Sequence, residues 1–200
     1  MLNWQRLTAA SWQALLADMT LIEQDAFGPK VLRAADASHY LKVFRIKRKL
    51  SSGILNNPAR RFCANAVELA RRGIPTLTPT QLYRIDQIER FAVGYQPLAG
   101  DTVRHLLKIG AFDQDLIAQL AAFIYQLHRQ GIYFRSLHPG NVVVTPDGKF
   151  GLIDVLDMKF RWFKRPLTAG EVKRNFQHFL RYDDGKNIGV ALQQFYKNHS

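Results

Sequence analysis

The stretch 131-GIYFRSLHPGNVVVTPDGKFGLIDVLDMKF-160 places polar residues where the apolar pattern predicts strand ends and a turn. The apolar runs 142-VVV-144 and 150-FGLI-153 flank the turn signal 146-PDG-148, and together they predict a β-hairpin. Because a tight turn brings the outer ends of two antiparallel strands together, we expect Asn141 and Asp154 to lie side by side. An amide oxygen and a carboxylate are hard ligands that suit magnesium, so the segment predicts a site that handles phosphate.

The residues 134-FRSLHPGN-141, followed by Asp154, resemble the catalytic loop and metal-binding aspartate of the protein-kinase-like superfamily, whose loop reads H-R-D-L-x-x-x-N. The His-Pro-Gly-Asn form and the tail 161–182 resemble the bacterial lipopolysaccharide-core kinases and the toluene tolerance proteins. The resemblance implies a small two-lobed α+β fold, with an antiparallel sheet in the N-terminal lobe and a helical C-terminal lobe. We expect one such domain over residues 1–200, with the lobes at about 20–90 and about 95–200.

Two positions of this loop depart from the family pattern. Phe134 replaces the usual histidine, and Ser136 replaces the aspartate that accepts the proton of the substrate hydroxyl. A serine has no useful basicity near pH 7, so two interpretations stay open. In the first, the chain phosphorylates a sugar hydroxyl of a lipopolysaccharide-core-like acceptor, with Ser136 orienting that hydroxyl and His138 or Asp157 as candidate bases. In the second, it is a pseudokinase that serves as a nucleotide-binding or regulatory interaction module.

The resemblance also implies ATP and Mg²⁺ as cofactors, bound between the lobes, with Asn141 and Asp154 on the metal. Lys42, in a predicted strand over 39–44, would pair the α- and β-phosphates. Taken alone, Lys42 is more readily interpreted as an exposed lysine on a half-buried strand, but its position in the chain before Asn141 and Asp154 favours the nucleotide role. The segment 24-QDAFGP-29 takes the place of the glycine-rich phosphate loop but has a single glycine, which implies weak phosphate contacts and weak affinity.

Two further residues are assigned to the nucleotide by the same resemblance. Glu68, in a predicted helix over 59–72, is the acidic residue available to orient Lys42, although it falls late in that helix. The alternative is a surface carboxylate that is neutralised by Arg71 or Arg72. Tyr95 lies in the segment 91–100, which fits a hinge between lobes where backbone groups could hold an adenine edge.

Composition indicates one compact globular domain of 200 residues, 47% hydrophobic and 22% charged. No stretch approaches the roughly 18 apolar residues that a membrane span needs, and the first residues lack a signal-peptide pattern. Cys63 is the only cysteine, which excludes an intrachain disulfide and a thiolate metal cluster. We therefore expect a cytoplasmic protein.

The formal net charge of +12 favours an anionic partner, such as an anionic small-molecule or glycolipid substrate. In the densest basic cluster, residues 45–49, no base-stacking aromatic is interleaved with the basic residues, so nucleic acid is a disfavoured partner, and a protein partner stays open. The basic residues also predict peripheral contact with the inner face of the membrane, with Trp162 and Phe163 at the interface. The alternative is that these rings are packed in the helical lobe and the charges only confer solubility. The basic residues concerned are Arg45, Lys47, Arg48, Lys49, Lys159, Arg161, Lys164 and Arg165.

Periodicity and capping signals predict the remaining elements. They predict a first helix near 11–18 capped by Ser11, a strand pair over 77–89, and a helix from Asp113 to a glycine stop at Gly131. His128, near the end of that helix, is interpreted as a solvated histidine rather than a metal ligand. Thr168 opens a capping box before a further helix, and 188–196 predicts a terminal one. A five-stranded antiparallel sheet is expected before Asp113.

Overall fold

A computed structural model describes residues 2–45, 57–86 and 90–199 of the chain. The fold is mixed α+β, and the chain divides into two compact units, Met1–Leu98 and Ala99–Ser200. The first unit is built on a sheet and the second is mainly helical. This confirms the predicted α+β fold class, with its sheet-rich first part and helical second part.

The helices and strands follow one another in an order that sets the two units apart. In unit 1 they are β1 (Trp4–Leu7), α1 (Ala9–Ala17), β2 (Met19–Asp25), β3 (Gly28–Ala34), β4 (Tyr40–Arg45), α2 (Pro58–Arg71), β5 (Thr78–Ile85) and β6 (Arg90–Gln96). In unit 2 they are β7 (Asp101–Thr102), α3 (Val103–Lys108), α4 (Gln114–Arg129), β8 (Ile132–Phe134), β9 (Val142–Val144), β10 (Phe150–Leu152), β11 (Met158–Phe160), α5 (Ala169–Phe179) and α6 (Lys186–His199).

Unit 1 is organised around a six-stranded sheet with the strand order β1-β5-β6-β4-β3-β2. Strands β2 to β6 pair antiparallel, which confirms the expected five-stranded antiparallel sheet before Asp113. The fifth strand is β6, which occupies the first part of the segment 91–100 that was predicted as a hinge. Strand β1 adds a parallel edge, with Trp4 opposite Leu82. The sequence did not predict β1 because only Leu7 of its four residues is buried, so it has no alternating apolar pattern.

One helix covers each face of this sheet. Successive residues of a strand point to opposite faces, so the residues of one strand contact both helices in turn. On β4, Leu41 and Val43 join the apolar cluster that contains Trp12 of α1. The alternate residues of the same strand, Lys42 and Phe44, face α2, where both contact the ring of Phe62. The alternation on β4 therefore places Lys42 on the α2 side of the sheet.

Two predicted boundaries in unit 1 are wrong. Helix α1 is capped by Thr8, whose Oγ1 accepts the backbone N–H of Ser11, so Ser11 lies inside the helix rather than at its N-cap. The stretch 77–89 does not form a strand pair in its described part, because β5 runs unbroken from Thr78 to Ile85. Its partner is β6, which begins at Arg90. Residues 87–89 lie outside the described part.

Unit 2 is built on α4, whose buried face contains Ile117, Leu120, Ile124 and Leu127. Asp113 caps this helix through the N–H of Leu116, and Gly131 follows it at φ +70°, so both predicted ends are confirmed. Gly131 also permits a close approach, because a Cβ there would lie 2.2 Å from the carbonyl oxygen of Arg165. The capping box of Thr168 at the start of α5 is confirmed as well. Helix α6 packs along α4.

His128 is buried near the end of α4, at 3% exposure, so its interpretation as a solvated histidine is wrong. Asn175 of α5, which is fully buried, donates through Nδ2 to the carbonyl of Phe134 at 2.8 Å. Its Oδ1 therefore accepts from Nε2 of His128 at 3.0 Å. The hydroxyl of Tyr196 contacts the other ring nitrogen. A neutral imidazole satisfies all these contacts, and α4, α5, α6 and β8 meet there.

We expect this histidine to make unit 2 sensitive to acid. Burial lowers the pKa of His128 to about 4 from its ordinary 6.5. Between pH 6.5 and pH 4 the unfolded chain therefore binds more protons than the folded one, so stability is full above pH 6.5 and is lost as the pH falls. The loss is on the order of 3 kcal/mol by pH 4. Urea unfolding midpoints from pH 7.5 to 4.5 measure it.

The matched control for this prediction is His39→Gln, because His39 is exposed in unit 1. The variant His128→Gln is expected to be less stable at pH 7.5 and to show a flatter decline of the midpoint with falling pH. His39→Gln should keep the native decline. An unchanged pH dependence in His128→Gln would contradict the role assigned to this histidine.

Candidate active site

The hairpin that was predicted from the sequence is formed by β9 and β10, which pair antiparallel with Val142 opposite Leu152 and Val144 opposite Phe150. Beyond the last pair, the N–H of Ile153 donates to the carbonyl oxygen of Asn141 at 3.0 Å. The ladder thus extends to the residue that precedes Asp154. The backbone of Asn141 is thereby held next to the exit of β10, as the hairpin geometry predicts.

Asn141 is 8% exposed and ends the short 3₁₀ turn Pro139–Asn141. Its Nδ2 donates to the carbonyl oxygen of Ser136 at 2.9 Å, and its backbone N–H donates to the carbonyl oxygen of His138 at 2.8 Å. Because the amide nitrogen is engaged, Oδ1 is the atom of this side chain that can serve as a metal ligand. The amide group is therefore fixed in orientation by the loop 135–141.

Asp154 adopts a left-handed backbone conformation, with φ 52° and ψ 48°. Residues with a Cβ rarely occupy this region, and a strained backbone is concentrated at functional sites. The residue is exposed, while Val155 after it is fully buried. The conformation therefore directs the chain into the protein directly after a carboxylate that remains at the surface.

Ser136 and Asp157 are brought together at the end of the two-stranded β8–β11 ribbon. The hydroxyl of Ser136 donates to Oδ2 of Asp157 at 3.4 Å, a long contact. The same oxygen accepts from Nη2 of Arg135 at 2.7 Å, and the N–H of Arg135 donates to the carbonyl oxygen of Asp157 at 3.0 Å. Ser136, which stands where the kinase-like loop pattern has an aspartate, thus has a carboxylate as its neighbour.

His138 acts within the loop as a cap. Its Nδ1 accepts the N–H of Gly140 at 3.0 Å, and its ring lies 4.5 Å from that of Tyr182. Burial, with a contribution from the guanidinium of Arg104, lowers the pKa of His138 to about 4. The imidazole is therefore neutral at pH 7, and one of its nitrogens is already engaged.

Arg104 is a neighbour of the loop that sequence reasoning missed. A Cβ added at Gly140 would lie 2.7 Å from Nη1 of Arg104, so the guanidinium packs directly on that glycine. It also forms an ion pair with Asp184 at 2.5 Å and lies 5.4 Å from the ring centroid of Tyr182. Arg104 is 36 positions before Gly140 in the chain, so no local spacing signal could have identified it.

In unit 1, the predicted nucleotide residues Lys42 and Tyr95 are placed around one ring. Nζ of Lys42 lies 5.8 Å from the ring centroid of Phe62, and the ring of Tyr95 lies 5.8 Å from the same centroid. Lys42 is half-buried on β4, with Val31 and Val93 opposite it on the neighbouring strands. Tyr95 lies near the end of β6, three residues before the division between the units.

Glu68 forms ion pairs with Arg71 at 2.8 Å and Arg72 at 2.6 Å, which are the contacts of the surface alternative. Hydrogen bonds from these guanidinium groups lower the pKa of Glu68 to about 2.

Asn65 lies three residues after Phe62, on the same side of α2, and is 7% exposed. A polar residue on an apolar helix face can be recognised in the sequence, so Asn65 could have been singled out there as a candidate site residue.

The segment that takes the place of the glycine-rich loop is the tight turn between β2 and β3. Asp25 accepts the N–H of Phe27 through Oδ1 at 2.8 Å, and Gly28 follows at φ +113°. Arg90 donates to the carbonyl of Phe27. The turn contains two residues between its strands, Ala26 and Phe27.

The donor set for a metal is small. Among the described residues, no three His, Cys, Asp or Glu side chains gather in a way that could hold a metal ion. Asn141 and Asp154 offer two oxygen ligands, and this number fits Mg²⁺, which takes most of its ligands from water and substrate phosphates.

No described helix has the length and apolar character to cross a membrane.

Comparisons with known proteins point to kinases. No family model matches the chain. A stretch of 77 residues is 32% identical to the serine/threonine-protein kinase Warts of Drosophila melanogaster, and equally to the serine/threonine-protein kinase LATS1 of Mus musculus and of Homo sapiens. The match covers 36% of this chain and 7% of the length of each relative. This weak, partial similarity supports a kinase-like relationship and no closer assignment.

Proposed function

We propose that the chain binds ATP with Mg²⁺ and transfers phosphate to a sugar hydroxyl of a lipopolysaccharide-core-like glycolipid. The observation that supports this most strongly is the β9–β10 hairpin, which holds Asn141 beside the strand exit that leads to Asp154. The partial similarity to serine/threonine-protein kinases supports the same reaction class. The acceptor class is what the resemblance of the His-Pro-Gly-Asn loop to the lipopolysaccharide-core kinases implies, and it suits a net charge of +12.

In this proposal Oδ1 of Asn141 and the carboxylate of Asp154 hold the metal. When bound, Mg²⁺ would neutralise charge on the phosphate oxygens of the nucleotide. The hydrogen bond from Nδ2 of Asn141 to Ser136 fixes the amide before any ligand arrives. Such preorganisation lowers the cost of ligand binding. The contact of Lys42 with the phosphates stays a prediction, and so does the contact of Tyr95 with the adenine edge.

Ser136 would orient the acceptor hydroxyl, and Asp157 would accept its proton. Asp157 is the better candidate base because its carboxylate is the neighbour of Ser136 and is positioned by Arg135. His138 is the weaker candidate because Nδ1 already accepts the N–H of Gly140 and burial lowers the pKa of the ring to about 4. Phosphoryl transfer depends mostly on positioning and electrostatics, so a weak base slows the reaction without abolishing it.

A pseudokinase is the second candidate function, and the observation that favours it is Ser136 itself. The hydroxyl that occupies the position of the family's base donates its hydrogen bond to Asp157 rather than accepting one there. A chain of this kind would bind the magnesium nucleotide and respond to it without transferring phosphate. Its output would be the recognition of a protein partner.

Transfer of labelled phosphate from ATP into core-oligosaccharide extracts tests the proposal. The native chain is expected to label the extract, and Asp154→Asn is expected not to. Asp147→Asn is the matched control, because Asp147 is an exposed aspartate at the turn of the same hairpin. If the native chain transfers no phosphate while it still binds the magnesium nucleotide, the pseudokinase replaces the enzyme.

A further inference from the structure

The segment 161–165, here called the aromatic loop, exposes two large rings to solvent. Trp162 is 83% exposed and Phe163 is 86% exposed, more than any other large apolar side chain of the described residues. Their ring centroids lie 6.1 Å apart. The alternative that these two rings are packed in the helical lobe is therefore wrong. Two adjacent exposed aromatic rings form an apolar patch of the kind that marks an interaction surface.

The ends of the aromatic loop are fixed to the end of α4. The N–H of Arg161 donates to the carbonyl of Gly131 at 2.9 Å, and its guanidinium donates to Glu171 at 2.8 Å. On the other side, the N–H of Leu167 donates to the carbonyl of His128 at 2.9 Å. The loop between these anchors is short, so the rings are presented outward by a held backbone.

The backbone of the loop is itself strained. Phe163 and Lys164 both have φ 52°, the left-handed region that residues with a Cβ rarely adopt. A bulky aromatic residue in this region is a genuine outlier, and such outliers persist only where surrounding contacts impose them. At Phe163 this conformation coincides with a ring that is exposed to water, which favours a binding role over a packing role.

The charged residues that flank the two rings along the chain are all basic. Residues 158–170 contain four basic residues and no aspartate or glutamate. Lys159, Lys164 and Arg165 are exposed, and Arg161 is paired with Glu171. Tryptophan and phenylalanine flanked by lysine and arginine are typical of surfaces that enter the headgroup region of a bilayer, where cations meet lipid phosphates.

We propose that the aromatic loop docks on the surface of an anionic lipid bilayer, with Trp162 and Phe163 among the headgroups and Lys164 and Arg165 on lipid phosphates. The exposed cations Lys164 and Arg165 favour an anionic surface over a neutral or cationic one, and a bilayer interface accommodates the two adjacent rings as well as the cations. Docking is independent of phosphate transfer. If the proposed function also holds, β11 links the loop to Asp157, which is five residues before Trp162 and no farther than about 17 Å from it.

Sedimentation with vesicles tests the docking. We expect the native chain to bind vesicles that contain anionic phospholipid at low salt, and to release them at high salt because the attraction is screened. The double variant Trp162→Ser with Phe163→Ser should bind at least about tenfold more weakly, since it loses the burial of two rings. The matched control is Ile109→Ser with Val190→Ser, which removes two exposed apolar side chains of unit 2 and should bind as the native chain does.

A second pair of variants tests the charges. Lys164→Gln with Arg165→Gln should weaken binding about thirtyfold, from about 1 kcal/mol for each basic side chain near an anionic leaflet. Lys108→Gln with Lys197→Gln changes the net charge equally at exposed positions elsewhere in unit 2 and should have little effect. Equal binding to neutral vesicles, or native binding by both loop variants, would overturn the proposal. Magnesium-nucleotide binding by these variants should stay native, which separates this outcome from the proposed function.

Discussion

Replacing Asn175 with alanine is expected to lower the free energy of unfolding of the chain by about 3 kcal/mol. The side chain is fully buried and makes two hydrogen bonds, one to the carbonyl of Phe134 and one with Nε2 of His128. Alanine would leave both partners buried without a hydrogen bond, and each such group costs about 1–3 kcal/mol. A residual cavity would add to the loss.

The matched control is Gln177→Ala, because Gln177 is an exposed amide of the same helix α5. This substitution should change the free energy of unfolding by no more than about 0.5 kcal/mol. Urea unfolding followed by far-ultraviolet circular dichroism compares the two variants. Equal stability of Asn175→Ala and Gln177→Ala would show that the buried amide does not hold unit 2 together.

The same substitution bears on the candidate active site. Asn175 fixes the carbonyl of Phe134, which is the last residue of β8 and is followed directly by Arg135 and Ser136. We therefore expect Asn175→Ala to increase the hydrogen exchange of the backbone amides in the loop 135–141 more than in β5, which belongs to unit 1. The amide thus serves stability and the placement of the loop together.

Ser136→Asp is expected to raise the rate of phosphate transfer by about 100-fold or more, since general-base catalysis contributes about 10²–10⁴. The substitution introduces the residue type of the kinase-like loop pattern at a position that is half-buried and next to Asp157. The guanidinium of Arg135, which already pairs with Asp157, would partly neutralise the negative charge that the new aspartate adds.

Ser136→Ala is the control for that prediction, because it removes the hydroxyl without adding a base. Both variants and the native chain are compared in the transfer assay with labelled ATP. Measurable native activity that Ser136→Asp increases supports the phosphotransferase, and activity that appears only in Ser136→Asp supports the pseudokinase. A rate for Ser136→Asp that is no higher than that for Ser136→Ala would contradict the assignment of this position.

The sequence predicted the elements whose signals are local. The β9–β10 hairpin, the cap at Asp113 and the capping box at Thr168 each depend on residues within a few positions of one another, and all three are confirmed. Strand β1 was missed because its pairing with β5 joins residues almost eighty positions apart, and its own four residues have no periodic pattern. Long-range parallel pairing of this kind leaves no local signature.

In the candidate site, too, the features with local sequence signals were predicted and the features that depend on distant segments were not. The neighbourhood of Asn141 and Asp154 follows from hairpin geometry, which spacing alone provides. The packing of Arg104 on Gly140 and the burial of His128 depend on how distant segments pack, and a single sequence does not contain that information. The exposure of Trp162 and Phe163 was also beyond sequence reasoning, because aromatic residues are usually buried and the pattern favoured neither alternative.

The most direct test of the central claim is a titration with ATP in the presence and absence of magnesium, on the native chain, Asp154→Asn and Asp147→Asn. We expect magnesium-dependent binding by the native chain and by Asp147→Asn. Binding by Asp154→Asn should be more than about 100-fold weaker, because loss of a charged metal ligand costs several kcal/mol. The same response in the native chain and Asp154→Asn, or no dependence on magnesium, would contradict the proposed site.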